Sequence, residues 1–175
     1  MKKTLIERIE VGSGGAASIT FSSIPQTYTD LYVVVSGRTT ATEASGGSYA
    51  NLKPNNTTAS QSMRTLRGTG SSVSSNSETT VFFTVNPSDA TSNTFANSAV
   101  YIPNYTGSQN KSMSVDGLNE NNATGARQEL AAALYSTSSP ISSLVLTPGS
   151  GNFVQYSSAS LYGVTAGNDG TTTVS

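Results

Sequence analysis

The chain has no cysteine, no histidine and no tryptophan, and only 11% of its 175 residues are charged. Without cysteine, no disulfide staples the fold and no thiolate can hold a metal. Without histidine, imidazole metal sites and the commonest general base are also excluded. A formal charge of −1 gives no basic field to attract nucleic acid or an anionic membrane. No apolar run approaches the length of a membrane span. The opening MKKTLIERIEV has two lysines, but Glu7, Arg8 and Glu10 interrupt the apolar stretch a signal peptide needs. Synthesis in the cytoplasm is therefore expected, with no conventional export signal.

Hydroxyls and amides are what the chain has in abundance. Serine (30), threonine (24) and asparagine (14) make up 68 of 175 residues. Polar, weakly charged sequence can fail to build a core and stay disordered. Here, however, apolar residues recur in short alternating runs separated by strong turn signals, which predicts a folded β protein. At this length one domain is expected, burying roughly 70% of its unfolded surface. Such hydroxyl-rich, lysine-poor surfaces suit extracellular β proteins and virion components, which meet neighbours through many neutral hydrogen bonds.

Residues 19–38 (ITFSSIPQTYTDLYVVVSGR) organise the rest. Ile19 and Phe21 alternate with polar neighbours, and Leu31, Val33 and Val35 form a β-branched, more buried run. The connection between them is too long for a two-residue hairpin turn, so the two strands are expected in facing sheets. Pro25 and Asp30 help to end one strand and start the next. Further strands are predicted at 5–11, 48–53, 62–67, 80–85, 94–102, 112–117 and 141–147. Residues 152–156 and 160–164 form a last strand or hairpin. In the first strand Leu5, Ile9 and Val11 share a face, leaving Ile6 to meet a neighbouring subunit. Loops are predicted at 39–48, 54–58, 68–77, 104–111 and 118–125. Residues 127–135 (RQELAAALY) have helical propensity. As a strand they place Leu130, Ala132 and Leu134 on one side, and the surrounding strands favour that reading. The expected fold is all-β: a single antiparallel, jelly-roll-like β-sandwich of about eight to ten strands. It spans residues 1–166 with an N-terminal arm at 1–9, and residues 167–175 form a polar tail.

Catalytic chemistry has few candidates. Paired carboxylates serve glycosidases, and Glu7/Glu10 and Asp116/Glu120 are nearest in sequence. The first pair points to opposite faces of a strand, and the second flanks a loop. Lys111-Ser112 is a weak Ser-Lys candidate. Asp116, Asn119, Glu120 and Asn122 make an oxygen-rich loop, but its spacing fits no EF-hand and Asx-rich turns usually satisfy their own backbone. No cofactor is implied. Asn55, Asn56, Asn104, Asn110 and Asn122 lie in N-x-Ser/Thr triplets that this composition produces by chance. Tyr28, Tyr49 and Tyr105 lie in or beside loops, where an aromatic face can stack on a sugar. Tyr32, Tyr101, Tyr135, Tyr156 and Tyr162 lie in strands and are expected to pack.

Several blocks carry a resemblance: residues 19–38, IPNYTGSQNKS at 102–112, NNATGARQ at 121–128 and NFVQYSSASLYGV at 152–164. Over about residues 5–164 the chain resembles short virion structural proteins encoded by tailed bacteriophages, which share similar "FSSIP…YTDL", "IPNY" and closing "LYGI" segments. The resemblance implies a β-rich segment at 127–135 and a place in the virion, on the capsid exterior or in the tail. The leading expectation is a non-enzymatic capsid decoration protein, a homotrimer bound to the major capsid protein. The alternative is a tail-fibre or receptor-binding domain that recognises host glycan. Ile6, Tyr28, Tyr49 and Tyr105 are the candidate contacts.

Overall fold

The computed structural model describes residues 2–120 and 126–165. Twelve strands lie among them: β1 (Lys2–Glu10), β2 (Ile19–Phe21), β3 (Asp30–Gly37), β4 (Tyr49–Pro54), β5 (Gln61–Gly68) and β6 (Val73–Glu78), followed by β7 (Phe82–Thr84), β8 (Ala96–Ile102), β9 (Lys111–Leu118), β10 (Gln128–Tyr135), β11 (Leu144–Pro148) and β12 (Ser158–Thr165). One 3-10 turn, Glu43–Ser45, is the only helical piece among the described residues. Eight strands form an antiparallel sheet in the order β1-β12-β3-β8-β9-β10-β5-β6, and the other four form β2-β11-β4-β7. The two sheets pack together as the expected β-sandwich. The pair at 19–38 separates as its connection length predicts: β2 pairs with β11 in the small sheet, and β3 lies between β12 and β8 in the large one.

The core lies between the sheets and follows the period of two. Leu31, Val33 and Val35 of β3, Val100 and Ile102 of β8 and Leu161 of β12 point inward from the large sheet. Ile19, Phe21, Leu52, Leu144 and Leu146 meet them from the small sheet. Burying each such side chain contributes about 1.5–3 kcal/mol. Tyr28 lies over β12 because residue 163 is glycine: a Cβ there would sit 2.3 Å from the ring. Lys111 is buried, and its ammonium donates to the carbonyls of Gly107 (2.7 Å), Ser139 (2.8 Å) and Thr137 (3.1 Å). It thereby ties two loops at one end of the sandwich. Burial pushes its pKa below the ordinary lysine value.

The structure corrects several expectations. Within 68–77, expected as a loop, residues 73–77 belong to β6, an edge strand paired with β5. Its exposed Ser and Asn side chains gave no apolar alternation, so the backbone ladder alone defines it. Residues 152–156 are not a strand; buried Phe153 only bridges Ala16 and Thr39. Residues 2–9 do not project as an arm, for β1 is hydrogen-bonded along its length to β12. A bulge between Leu5 and Glu7 resets the side-chain phase. Ile6 and Ile9 consequently pack against the core and Leu5 is exposed, so Ile6 does not face outward. β10 is a strand flanked on both sides, by β5 and β9, which overrides its helical propensity. The segment 167–175 and Asn122 lie outside the described residues.

Candidate functional site

The unequal width of the sheets creates two surfaces. The edge strand β7 of the small sheet lies against β8 and β9, so β10, β5 and β6 extend beyond it. A cleft of about 640 Å³ opens there. Arg67, Glu78 and Glu129 enter it from β5, β6 and β10. Tyr49, Asn51 and Lys53 enter from the face of β4 opposite buried Ala50 and Leu52, joined by Phe82 of β7. Glu43, Ser48 and Arg127 complete the lining at the 3-10 turn.

Four of the charges in the cleft are held in two ion pairs. Arg67 Nε and Nη2 each lie 3.0 Å from Glu129 Oε2. Arg127 Nη1 donates to Glu43 Oε1 at 3.1 Å, and Nη2 to the Ser48 carbonyl at 3.3 Å. Burial, reinforced by the charge of Arg67, pushes the Arg127 pKa down, while Glu43 and Glu129 pull it back up. Arginine nonetheless stays protonated in proteins. Two buried atoms of this network, Glu129 Oε1 and Arg127 Nε, have no hydrogen-bond partner.

The second surface is the outer face of the large sheet. One row across its eight strands runs Leu5, Tyr162, Tyr32, Tyr101, Ser114, Ala132, Arg64 and Ser77. The next runs Arg8, Ser160, Val34, Ala99, Asp116, Leu130, Leu66 and Ser75. Leu66 and Leu130 are direct cross-strand partners, 51% and 47% exposed, with Leu118 and Val73 diagonal to them. Lys3 sits 3.6 Å above the Tyr32 ring, and the Tyr101 hydroxyl donates to Asp30 Oδ2 at 2.6 Å. Apolar residues are thus contiguous on a face directed away from the core.

The candidate residues fall in different places. Tyr105 is fully buried, with its hydroxyl donating to the Pro25 carbonyl, so it cannot stack on a sugar. Tyr28 packs over Gly163. Tyr49 alone of the three reaches the cleft, but Gly46, Gly149 and Phe82 flank its ring, making it a wall rather than an open platform. Lys111 and Ser112 point to opposite faces of β9, so they do not form a dyad. Glu10 is paired with Arg8 at 2.8 Å. Asn119 is buried and bonds to the Arg127 backbone through both its Oδ1 (2.7 Å) and its N–H (3.0 Å), closing the β9–β10 connection. Among the described residues, no three carboxylates gather where a metal could be held. Asn55 spends its amide on Pro140 and Ser142. Residue-by-residue reading missed the Arg67–Glu129 and Arg127–Glu43 pairs. The first was detectable once 62–67 and 127–135 were placed as neighbouring strands, because opposite charges then face each other in register. No helix among the described residues is long and apolar enough to cross a membrane.

No family model, curated protein or solved structure matches the chain.

Proposed function

We propose that the chain is a non-enzymatic structural protein of a bacteriophage virion: a capsid decoration protein that self-associates, as a homotrimer, and docks on the major capsid protein. The observation that carries this reading is the outer face of the large sheet, where Leu66, Leu118, Leu130 and Val73 lie contiguous and exposed. A half-exposed leucine gains about 1 kcal/mol when a partner covers it, so one copy holds weakly. A symmetric oligomer engages several capsid subunits at once and gains effective concentration. Low net charge fits this role, since like-charged copies crowded on one shell would repel each other. The motifs at 19–38, 102–112 and 152–164 support the same assignment through their resemblance to phage virion proteins.

The test is a copy count by quantitative mass spectrometry on purified particles of the phage that makes the chain. A number comparable with that of the major capsid protein is expected. A handful of copies indicates a tail component and overturns the decoration role, and absence from the particle overturns the whole reading.

A further inference from the structure

A strand at the end of a sheet offers a row of N–H and C=O groups to any further strand. The two sheets end in β1 and β6 and in β2 and β7. β2 and β7 are three residues each, too short to template a partner. β1 is longer, but Lys2, Lys3, Glu7 and Arg8 charge it, and the bulge between Leu5 and Glu7 breaks its line. β6 has none of these guards. Its six residues, Val73–Glu78, include no lysine, arginine or proline, run in unbroken register with β5, and are exposed as far as Ser77.

The register shows which groups are open. The Thr69 N–H bonds to the Ser72 carbonyl at 3.0 Å and begins the β5–β6 ladder. Alternate pairs exchange bonds in an antiparallel ladder, so Ser74, Asn76 and Glu78 turn their backbone groups to β5. Val73, Ser75 and Ser77 turn theirs outward, where no strand lies among the described residues. We infer that β6 is a pairing edge whose occupant is β6 of a second copy, antiparallel and related by a two-fold axis at Ser75. The strand suits itself as a partner. With the axis at Ser75, Val73 faces Ser77 across the seam, and the two Glu78 carboxylates, its only charges, lie at opposite ends. Pairing β6 with β1 of another copy would instead leave a free edge at each end and favour a filament, whereas a two-fold contact closes on itself. The outward groups already bond to water, so each new bond gains little and the contact forms where copies are crowded. It uses the edge of the sheet rather than the docking face. Being two-fold, it adds to the three-fold association proposed above, and each can fail without the other.

The experiment is amide hydrogen exchange by NMR on the full chain, from micromolar to millimolar protein, with sedimentation over the same range. The Val73, Ser75 and Ser77 amides should exchange freely when dilute and slow by at least about tenfold when concentrated. Ser75→Pro removes an outward donor while leaving the β5 ladder whole, and Ser75→Lys sets two like charges on the axis. Both variants should lose the slowing and the association that accompanies it. Because the chain has no cysteine, Ser75→Cys supplies a single thiol. Mild oxidation should link two copies through it, and should not link Ser13→Cys, whose thiol sits on an exposed turn. The inference is overturned if the three amides exchange freely at every concentration or if the slowing persists in both variants. Slowing only when capsids are added would also overturn it, because the occupant would then be the capsid protein.

Discussion

Replacing Lys111 by methionine sets two large terms against each other. The substitution removes an ammonium whose burial costs several kcal/mol before compensation. It also strips donors from three carbonyls, each of which costs about 1–3 kcal/mol if left unsatisfied. The bonds are short, at 2.7, 2.8 and 3.1 Å, and Lys111 is 1% exposed, so the ammonium is fully used where it sits. Gly107 and Thr137 are only half-buried and Ser139 is exposed, so water reaches part of what is vacated and about 2 kcal/mol for each carbonyl, the middle of that range, applies. Methionine keeps most of the side-chain volume, which makes the cavity term small. The expected net loss is about 2–3 kcal/mol, with the carbonyl term winning. Urea unfolding at neutral pH should show a lower midpoint with an unchanged slope. Hydrogen exchange should quicken in 105–110 and 136–141 while β3 and β12 keep their protection. A variant as stable as the parent would refute the argument, because desolvation would then outweigh the hydrogen bonds.

Four other outcomes follow from named contacts. Gly47→Ala places a Cβ 2.1 Å from the Ala41 carbonyl oxygen and should cost about 3 kcal/mol in thermal or urea unfolding, whereas Gly68→Ala meets nothing within 4 Å and should be near neutral. The hydrogen bond to Asp30, with burial, raises the Tyr101 phenol to about 12. A raised pKa means this stabilisation is whole below pH 10 and lost as pH rises towards 12. The unfolding midpoint should therefore fall across that window, and fall less in Tyr101→Phe. Tyr105→Ala should cost about 3–5 kcal/mol in urea unfolding as a core truncation, so any binding defect it shows comes with unfolding. Leu66→Ser combined with Leu130→Ser should cost about 2 kcal/mol at most in urea unfolding, because about half of each side chain is already solvated, and should leave self-association in sedimentation unchanged, because that face is the one that meets the capsid.

The fold was legible where one face is apolar and the other polar. The runs at 19–21 and 31–35 alternate, and each became a strand in the expected phase. β6 was invisible because Val73–Glu78 buries nothing, and a strand held only by its backbone leaves no side-chain pattern. In β10 both faces carry apolar residues, so the surrounding strands rather than periodicity favoured a strand, and nothing told which side turns in. Tyr135 and Ala133 went to the core and Leu130 to the surface. In β1 one bulge exchanged the places of Leu5 and Ile6, which no alternation rule anticipates. The cleft was hidden for a further reason. Its members come from β4, β5, β6, β7, β10 and the 3-10 turn, and only the strand order brings them together.

The most direct test of the account uses capsids purified from a phage deleted for this chain, to which the wild-type protein and the Leu66→Ser/Leu130→Ser variant are added back. Wild-type protein should rebind, and the variant should bind at least about tenfold more weakly, since two leucines at about 1 kcal/mol each are lost per copy. Equal binding by a folded variant would contradict the claim that the outer face of the eight-stranded sheet is the docking surface.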